Sequence, residues 1–128
     1  MKITPTIPPR TFEVGLTRPI RLTDCARIAL APDEQVTFVT PAGAEYDVVR
    51  KAWGFYATPS LNGRLARFGL RPVLIRNPEG LYFLFLVERG KEEPFERYLA
   101  QEAQQIVAWL DSDVRLAHLE RALSAASA

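Results

Sequence analysis

The stretch that most limits what this chain can fold into is RPVLIR-NPEG-LYFLFLVE, residues 71–88. Asn77, Pro78 and Gly80 occupy the first, second and fourth positions of a type I turn. Two strands must therefore fold back on each other. The second is apolar on both faces, which predicts a central strand covered on both sides. A cover follows it in the sequence. In PFERYLAQEAQQIVAWL, residues Phe95, Leu99, Ala103, Ile106 and Leu110, with Tyr98 and Val107, form one helical stripe. Pro94 with Glu92, Glu93 and Glu96 matches the preference for proline and acids at a helix start. Trp109 falls at the margin of that stripe, so it is expected to be partly exposed or buried only by a partner. A second helix over about 113–124 carries Leu116, Leu119 and Leu123, and SAASA trails off behind it.

Upstream the pattern is strand and turn. Residues 1–10, with Pro5, Pro8 and Pro9, read as an extended arm. TFEVGL and RPIRL alternate apolar and polar residues and break at Gly15 and Pro19, as short strands do. ARIAL and QVTFVT flank APDE, whose Pro32 and Asp33 favour a turn, so these two segments are expected to form a hairpin. PAGA at 41–44 is a further turn. EYDVVRKAWGFYA then alternates as one longer strand with a bend near Gly54. Strands first and helices last give an α+β fold: an antiparallel sheet or open, cupin-like barrel with a C-terminal helical pair packed on it. The expected organisation is the arm at 1–10 and a single globular domain over 11–128, strand-rich at 11–88 and helical at 93–124.

A chain of 128 residues with 48% hydrophobic and 24% charged residues suits one such domain, with enough core to need neither disulfide nor metal. Cys25 is the only cysteine and cannot form an internal bridge. MKITPTIPPR lacks the apolar run of a secretory signal, and the seven apolar residues of LYFLFLV fall far short of the ~20 of a membrane helix. These features point to a reduced, cytoplasmic protein without membrane contact. The leucine and aromatic content of the helical pair exceeds what one small sheet face needs, which predicts a homodimer.

The net charge of +1 conceals segregation. Residues 50–76 hold Arg50, Lys51, Arg64, Arg67, Arg71 and Arg76 and no acid, while 28–49 hold Asp33, Glu34, Glu45 and Asp47 and no base. Residues 88–113 are again acidic in balance. Either these blocks neutralise one another across the fold, or the basic block faces an anion. A pI near 7.9 argues against a general nucleic-acid-tracking surface.

The side chains of familiar chemistry are scarce. His118 and Cys25, 93 positions apart, supply no zinc or iron site, and a serine triad would have to recruit the same His118 without a G-x-S-x-G elbow. Neither G-x-G-x-x-G nor a P-loop occurs. Cys25 reads as a small buried residue, and neighbouring Asp24 works against a reactive thiolate. Glu45, Asp47 and Glu88 are carboxylates at strand positions where a general base is conceivable, although such residues are usually just solvated. No metal, cofactor or catalytic residue is assigned.

What remains is KAWGFYATPSLNGRLARFG, residues 51–69. Ser60 as a cap, Leu61, Leu65 and Phe68 at helical spacing, and Gly69 at the C-terminal stop predict a helix over 61–68. A hairpin over Asn62-Gly63 competes with it, since Gly63 inside a helix costs about 1 kcal/mol. In the helical reading, Thr58, Ser60, Asn62, Arg64 and Arg67 converge on a small anionic ligand such as a phosphate, nucleotide or sugar nucleotide, with Trp53 and Tyr56 stacking beneath it. In the structural reading, the aromatics fill the core and the arginines pair with acids. The function expected is a non-catalytic binding or accessory protein that recognises such a ligand or a protein partner through residues 53–71. The alternative is a small metal-independent enzyme acting on a sugar phosphate or sugar nucleotide.

Overall fold

A computed structural model describes residues 1–126, so the end of the trailing SAASA lies outside the described residues. The chain is α+β, with antiparallel ladders throughout and no closed barrel among the described residues. Three small sheets replace the single expected one. The first pairs β1 (Lys2–Val14) with β2 (Ile20–Ala29), the second has the order β3 (Gln35–Val39), β4 (Glu45–Lys51), β5 (Gly54–Ala57), and the third the order β7 (Tyr82–Glu88), β6 (Leu70–Arg76), β8 (Gln105–Trp109). Helices α1 (Arg64–Arg67), α2 (Glu92–Gln101) and α3 (Asp113–Ala126) complete the fold.

The turn chemistry at PAGA and NPEG places its hairpins as expected. Asn77 Oδ1 accepts from the amides of Glu79 and Leu81, and Gly80 takes φ 82°, so Arg76 pairs with Tyr82. Elsewhere strand partners differ from the sequence expectation. ARIAL and QVTFVT do not pair with each other: β2 folds back on β1, and β3 pairs with β4. The arm at 1–10 is extended but is the outer part of β1, held in a two-stranded ribbon. EYDVVRKAWGFYA is two strands, because Lys51 pairs with Gly54 across a tight turn at Ala52-Trp53 where Gly54 takes φ 148°.

The apolar strand β7 lies at a sheet edge and β6 takes the centre. The cause is the fate of the long helical stripe. The helix ends at Gln101, Ala103 swings to φ 52°, and Gln105–Trp109 leaves as strand β8 to satisfy the other edge of β6. Ile106, Val107 and Trp109 are β-branched or aromatic, and their local preference for a pleated surface outweighs the helical spacing of the stripe. The expected C-terminal helical pair is therefore α2 and α3 with a strand between them. Val73, Ile75, Val87 and Leu99 form the main core, with Phe85, Phe95, Ile106 and Trp109 packed on it. A second cluster of Ala44, Leu65 and Leu70, flanked by Tyr46, Leu61 and Leu86, joins the β4 and β6 sheets.

The segregated charges meet across this framework. Arg71 on β6 reaches Asp111 at 2.8 Å and Glu92 at 3.2 Å, Lys51 reaches Asp33 at 2.6 Å, and Arg64 reaches Asp47 at 3.4 Å. At all three positions, basic and acidic blocks neutralise each other.

Candidate recognition surface

The predicted site begins at the two-residue turn of the β4–β5 hairpin. Register pairs Val49 with Tyr56 and Arg50 with Phe55, so alternation puts Tyr56 on one face and Phe55 on the other. Trp53, at the turn, stacks on Tyr56 with ring centroids 6.2 Å apart and planes 21° from parallel. Trp53 is 72% exposed, Phe55 64% and Tyr56 44%. These aromatics fill no core. Lys51 is held beside them by its 2.6 Å hydrogen bond to Asp33, which with that carboxylate's charge raises the ammonium above its ordinary value.

Along the same face toward the body comes a polar knot. The Asp47 carboxylate, on a buried residue, accepts from Thr37 Oγ1 at 2.5 Å and from the Arg64 guanidinium at 3.4 Å. Arg64 also donates to Thr58 Oγ1 at 3.1 Å and lies over the Phe68 ring at 5.2 Å. The Asp47 carboxylate thus has partners for both oxygens, at the expense of Arg64's freedom to hold anything else.

The segment after it is shorter than the two-turn helix read from the sequence. Residues 61–63 form turns, and only Arg64–Arg67 is helical, ended by Phe68 and by Gly69 at φ 80°. Gly63 stands at the helix boundary rather than inside it, so its conformational cost is largely avoided. Gly63, not Ser60, is the N-cap, and no side chain caps it. Ser60 Oγ instead accepts from the Arg64 amide at 3.1 Å within the preceding turn, and Asn62 donates to Asp113 at 2.8 Å, tying the turn to α3. Arg67 stands apart from the others. With Arg89, Gly43, Gly69 and Glu88 it lines a cavity of about 200 Å³.

The structure thus brings Trp53, Tyr56, Thr58 and Arg64 to one sheet face, leaves Ser60 and Asn62 as supports, and separates Arg67. Asp47 belongs to this face although the sequence reading does not include it, and Phe55, inside 53–71 but not singled out there, stands on the opposite face of the hairpin. Asp47 was legible in principle, because Asp47, Val49 and Lys51 alternate onto one face opposite Thr37. Cys25 is exposed on β2, not buried, because the strand it belongs to packs chiefly on β1. His118 is exposed on α3. Among the described residues, no three His, Cys, Asp or Glu side chains are grouped as metal ligands, and no helix is long and apolar enough to cross a membrane. In comparisons with known proteins, the chain matches no family model, no curated protein sequence and no solved structure.

Proposed function

We propose that the chain is a non-catalytic binding module that recognises a protein partner through residues 53–71, with the aromatic tip of the β4–β5 hairpin at its centre and a homodimer as the acting unit. The observation that carries this reading is the exposed Trp53–Tyr56 stack with Phe55 on the opposite side of the same hairpin. A convex tip with aromatics on both faces suits insertion into a groove on another protein better than it suits cradling a small anion. Aromatic side chains of this kind dominate interface hot spots, and burying them releases roughly 25 cal/mol per Å² of apolar surface. The single exposed Cys25 suits a reducing, cytoplasmic compartment, where a surface thiol is not driven into intermolecular disulfides.

A photo-crosslinking residue placed at Trp53 in the native host tests the reading, with the same residue at exposed Glu79 as control. One protein captured from position 53 and not from 79, whose purified form binds the Trp53→Ala variant at least ~30-fold more weakly, is the expected result. Equal capture from both positions would overturn it.

Arg67 favours a second reading. It forms no ion pair among the described residues and shares its cavity with Arg89, an arrangement suited to a small anion such as phosphate. Phosphate at about 100 times its dissociation constant would then stabilise the wild type by roughly 2.7 kcal/mol. Equal phosphate response in wild type and Arg67→Ala removes this reading.

A further inference from the structure

We infer that the β1–β2 ribbon is the surface through which two copies of this chain join, with its apolar face packed on the same face of a second copy across a two-fold axis; this rests on the homodimer reading above. The ribbon is amphipathic in register. Phe12 pairs with Leu22 and Val14 with Ile20 toward the loop end, and Ile3 pairs with Ile28 toward the other. Three extra residues on β1 between Pro5 and Arg10 keep the alternation in phase, so these apolar pairs share one face. Thr11 with Thr23 and Glu13 with Arg21 occupy the other.

Apart from half-buried Ile20, the large apolar residues of that face are uncovered. Ile3, Phe12, Val14, Leu22 and Ile28 are each 40–54% exposed. A two-stranded ribbon is at best marginally stable in water unless its apolar face is covered. The ribbon is nevertheless held in place at both ends. Its loop is pinned by the Leu16 amide donating to the buried Glu102 carboxylate at 3.0 Å and by Thr17 Oγ1 donating to the Gln101 carbonyl at 3.3 Å, and its far end runs through residues 30–34 into β3. A surface fixed before association loses less freedom on binding.

Two observations name a second copy as the cover. The first is area. A compact monomer of 14.4 kDa exposes about 6,800 Å², whereas this chain exposes 9147 Å². The excess of roughly 2,300 Å², to which the ribbon is one contributor, is of the size that each partner loses in an obligate homodimer, ~1,000–2,500 Å². The second is charge. Midway along the apolar face, Arg10 and Asp24 form an exposed pair at 3.6 Å, with the Arg10 guanidinium also over the Phe12 ring at 5.0 Å. A two-fold axis through that pair sets each Arg10 against the partner's Asp24, with apolar residues of both copies on either side. The face is its own complement, as an isologous interface requires. The stacked ribbons would lie ~10 Å apart, the spacing of packed sheets.

Sedimentation velocity on the full chain at tens of micromolar tests this. The wild type is expected at twice 14.4 kDa. Phe12→Asp and Leu22→Asp are each expected to raise the dimer dissociation constant at least ~30-fold, whereas Thr23→Asp on the opposite face leaves the dimer intact. Because an aspartate can also unzip the ribbon, the charges supply a separate arm. Arg10→Glu and Asp24→Arg each weaken their own homodimer, and in a one-to-one mixture each substituted charge faces its opposite on the partner, so dimers return. Within either variant chain the Arg10–Asp24 contact is repulsive, so rescue on mixing has to come from pairing between chains. A dimer that survives Phe12→Asp and Leu22→Asp, or a mixture that stays monomeric, overturns the ribbon interface while leaving the homodimer standing. A wild type of single-chain mass overturns both.

Discussion

Replacing Arg71 with alanine removes the residue that ties β6 to the segments following it. Its Nε donates to Asp111 at 2.8 Å, its Nη1 to Glu92 at 3.2 Å, and its guanidinium lies 4.0 Å above the Trp109 ring. The Arg71 and Asp111 side chains are 27% and 21% exposed, so the pair is only partly screened by water. A charge-assisted hydrogen bond in that setting contributes about 1.5 kcal/mol, and a partly desolvated cation–π contact about 1 kcal/mol. With the longer Glu92 pair, at the surface, adding little, these predict a loss of about 2.5 kcal/mol, or a Tm about 9 °C lower for a chain this long. Acid supplies an internal control. The Arg71 hydrogen bond and charge hold the Asp111 carboxyl below its usual range, so the folded pKa lies under the unfolded one. That contribution is therefore fully present above the unfolded value of ~3.9 and is lost as pH falls through the folded value. Differential scanning calorimetry at neutral pH and again near pH 3 should show the gap between wild type and Arg71→Ala narrowing toward the ~4 °C expected of the Trp109 contact alone. A gap below ~3 °C at neutral pH, or one of equal size at both pH values, would refute the assignment of stability to this pair.

Other substitutions test other parts of the reading. Ala103→Gly should leave stability unchanged or raise it by up to ~1 kcal/mol, because Ala103 sits at φ 52°, whereas Ala100→Gly inside α2 should cost about 1 kcal/mol; urea melts separate the two. Ile75→Ala, at a fully buried position of the main core, should cost about 3–4 kcal/mol, and a loss under ~1 kcal/mol would mean that the core is not where it is described. With Trp109→Phe, the remaining Trp53 should be quenched strongly by acrylamide. With Trp53→Phe, the remaining Trp109, edge-on to Phe95 at 6.0 Å and under Arg71, should be quenched much less; equal quenching would contradict both placements.

The legible parts of the fold were those encoded within a few residues. NPEG and PAGA dictate their turns through Pro, Gly and Asn side chains, Pro94 and its glutamates mark the start of α2, and Gly69 marks the stop after α1. What escaped depends on partners distant in the chain. Nothing near Gln105 says that β6 lacks a strand on one edge, so the spacing from Phe95 to Leu110 reads as one helix. The apolar run Leu81–Val87 reads as central because both its faces are apolar, but β8 takes the other edge of β6 and leaves β7 outermost. At the candidate site, the crowding of aromatics and arginines near Trp53 was visible in the sequence. The engagement of Arg64 by Asp47 was not, since the two lie 17 positions apart and nothing local signals their contact. The choice between a free and a neutralised basic block is made by tertiary contacts.

The strand order has a consequence for how the chain reaches this state. β1–β2, β3–β4, β4–β5 and β6–β7 are all ladders between neighbours in sequence, and each can close as soon as its turn forms. Among the described strands, only β8 must return across α2 to reach β6, pairing Gln105 with Arg76. Loop-closure entropy makes such a pairing slow relative to a hairpin, and topologies rich in local contacts cross the folding barrier early. The expected order is hairpins first, then α2 docking on Val73 and Ile75, with β8 zipping into place last. Substitutions at Ile106 should then act mainly on the unfolding rate, while substitutions in the β6–β7 hairpin should slow folding itself.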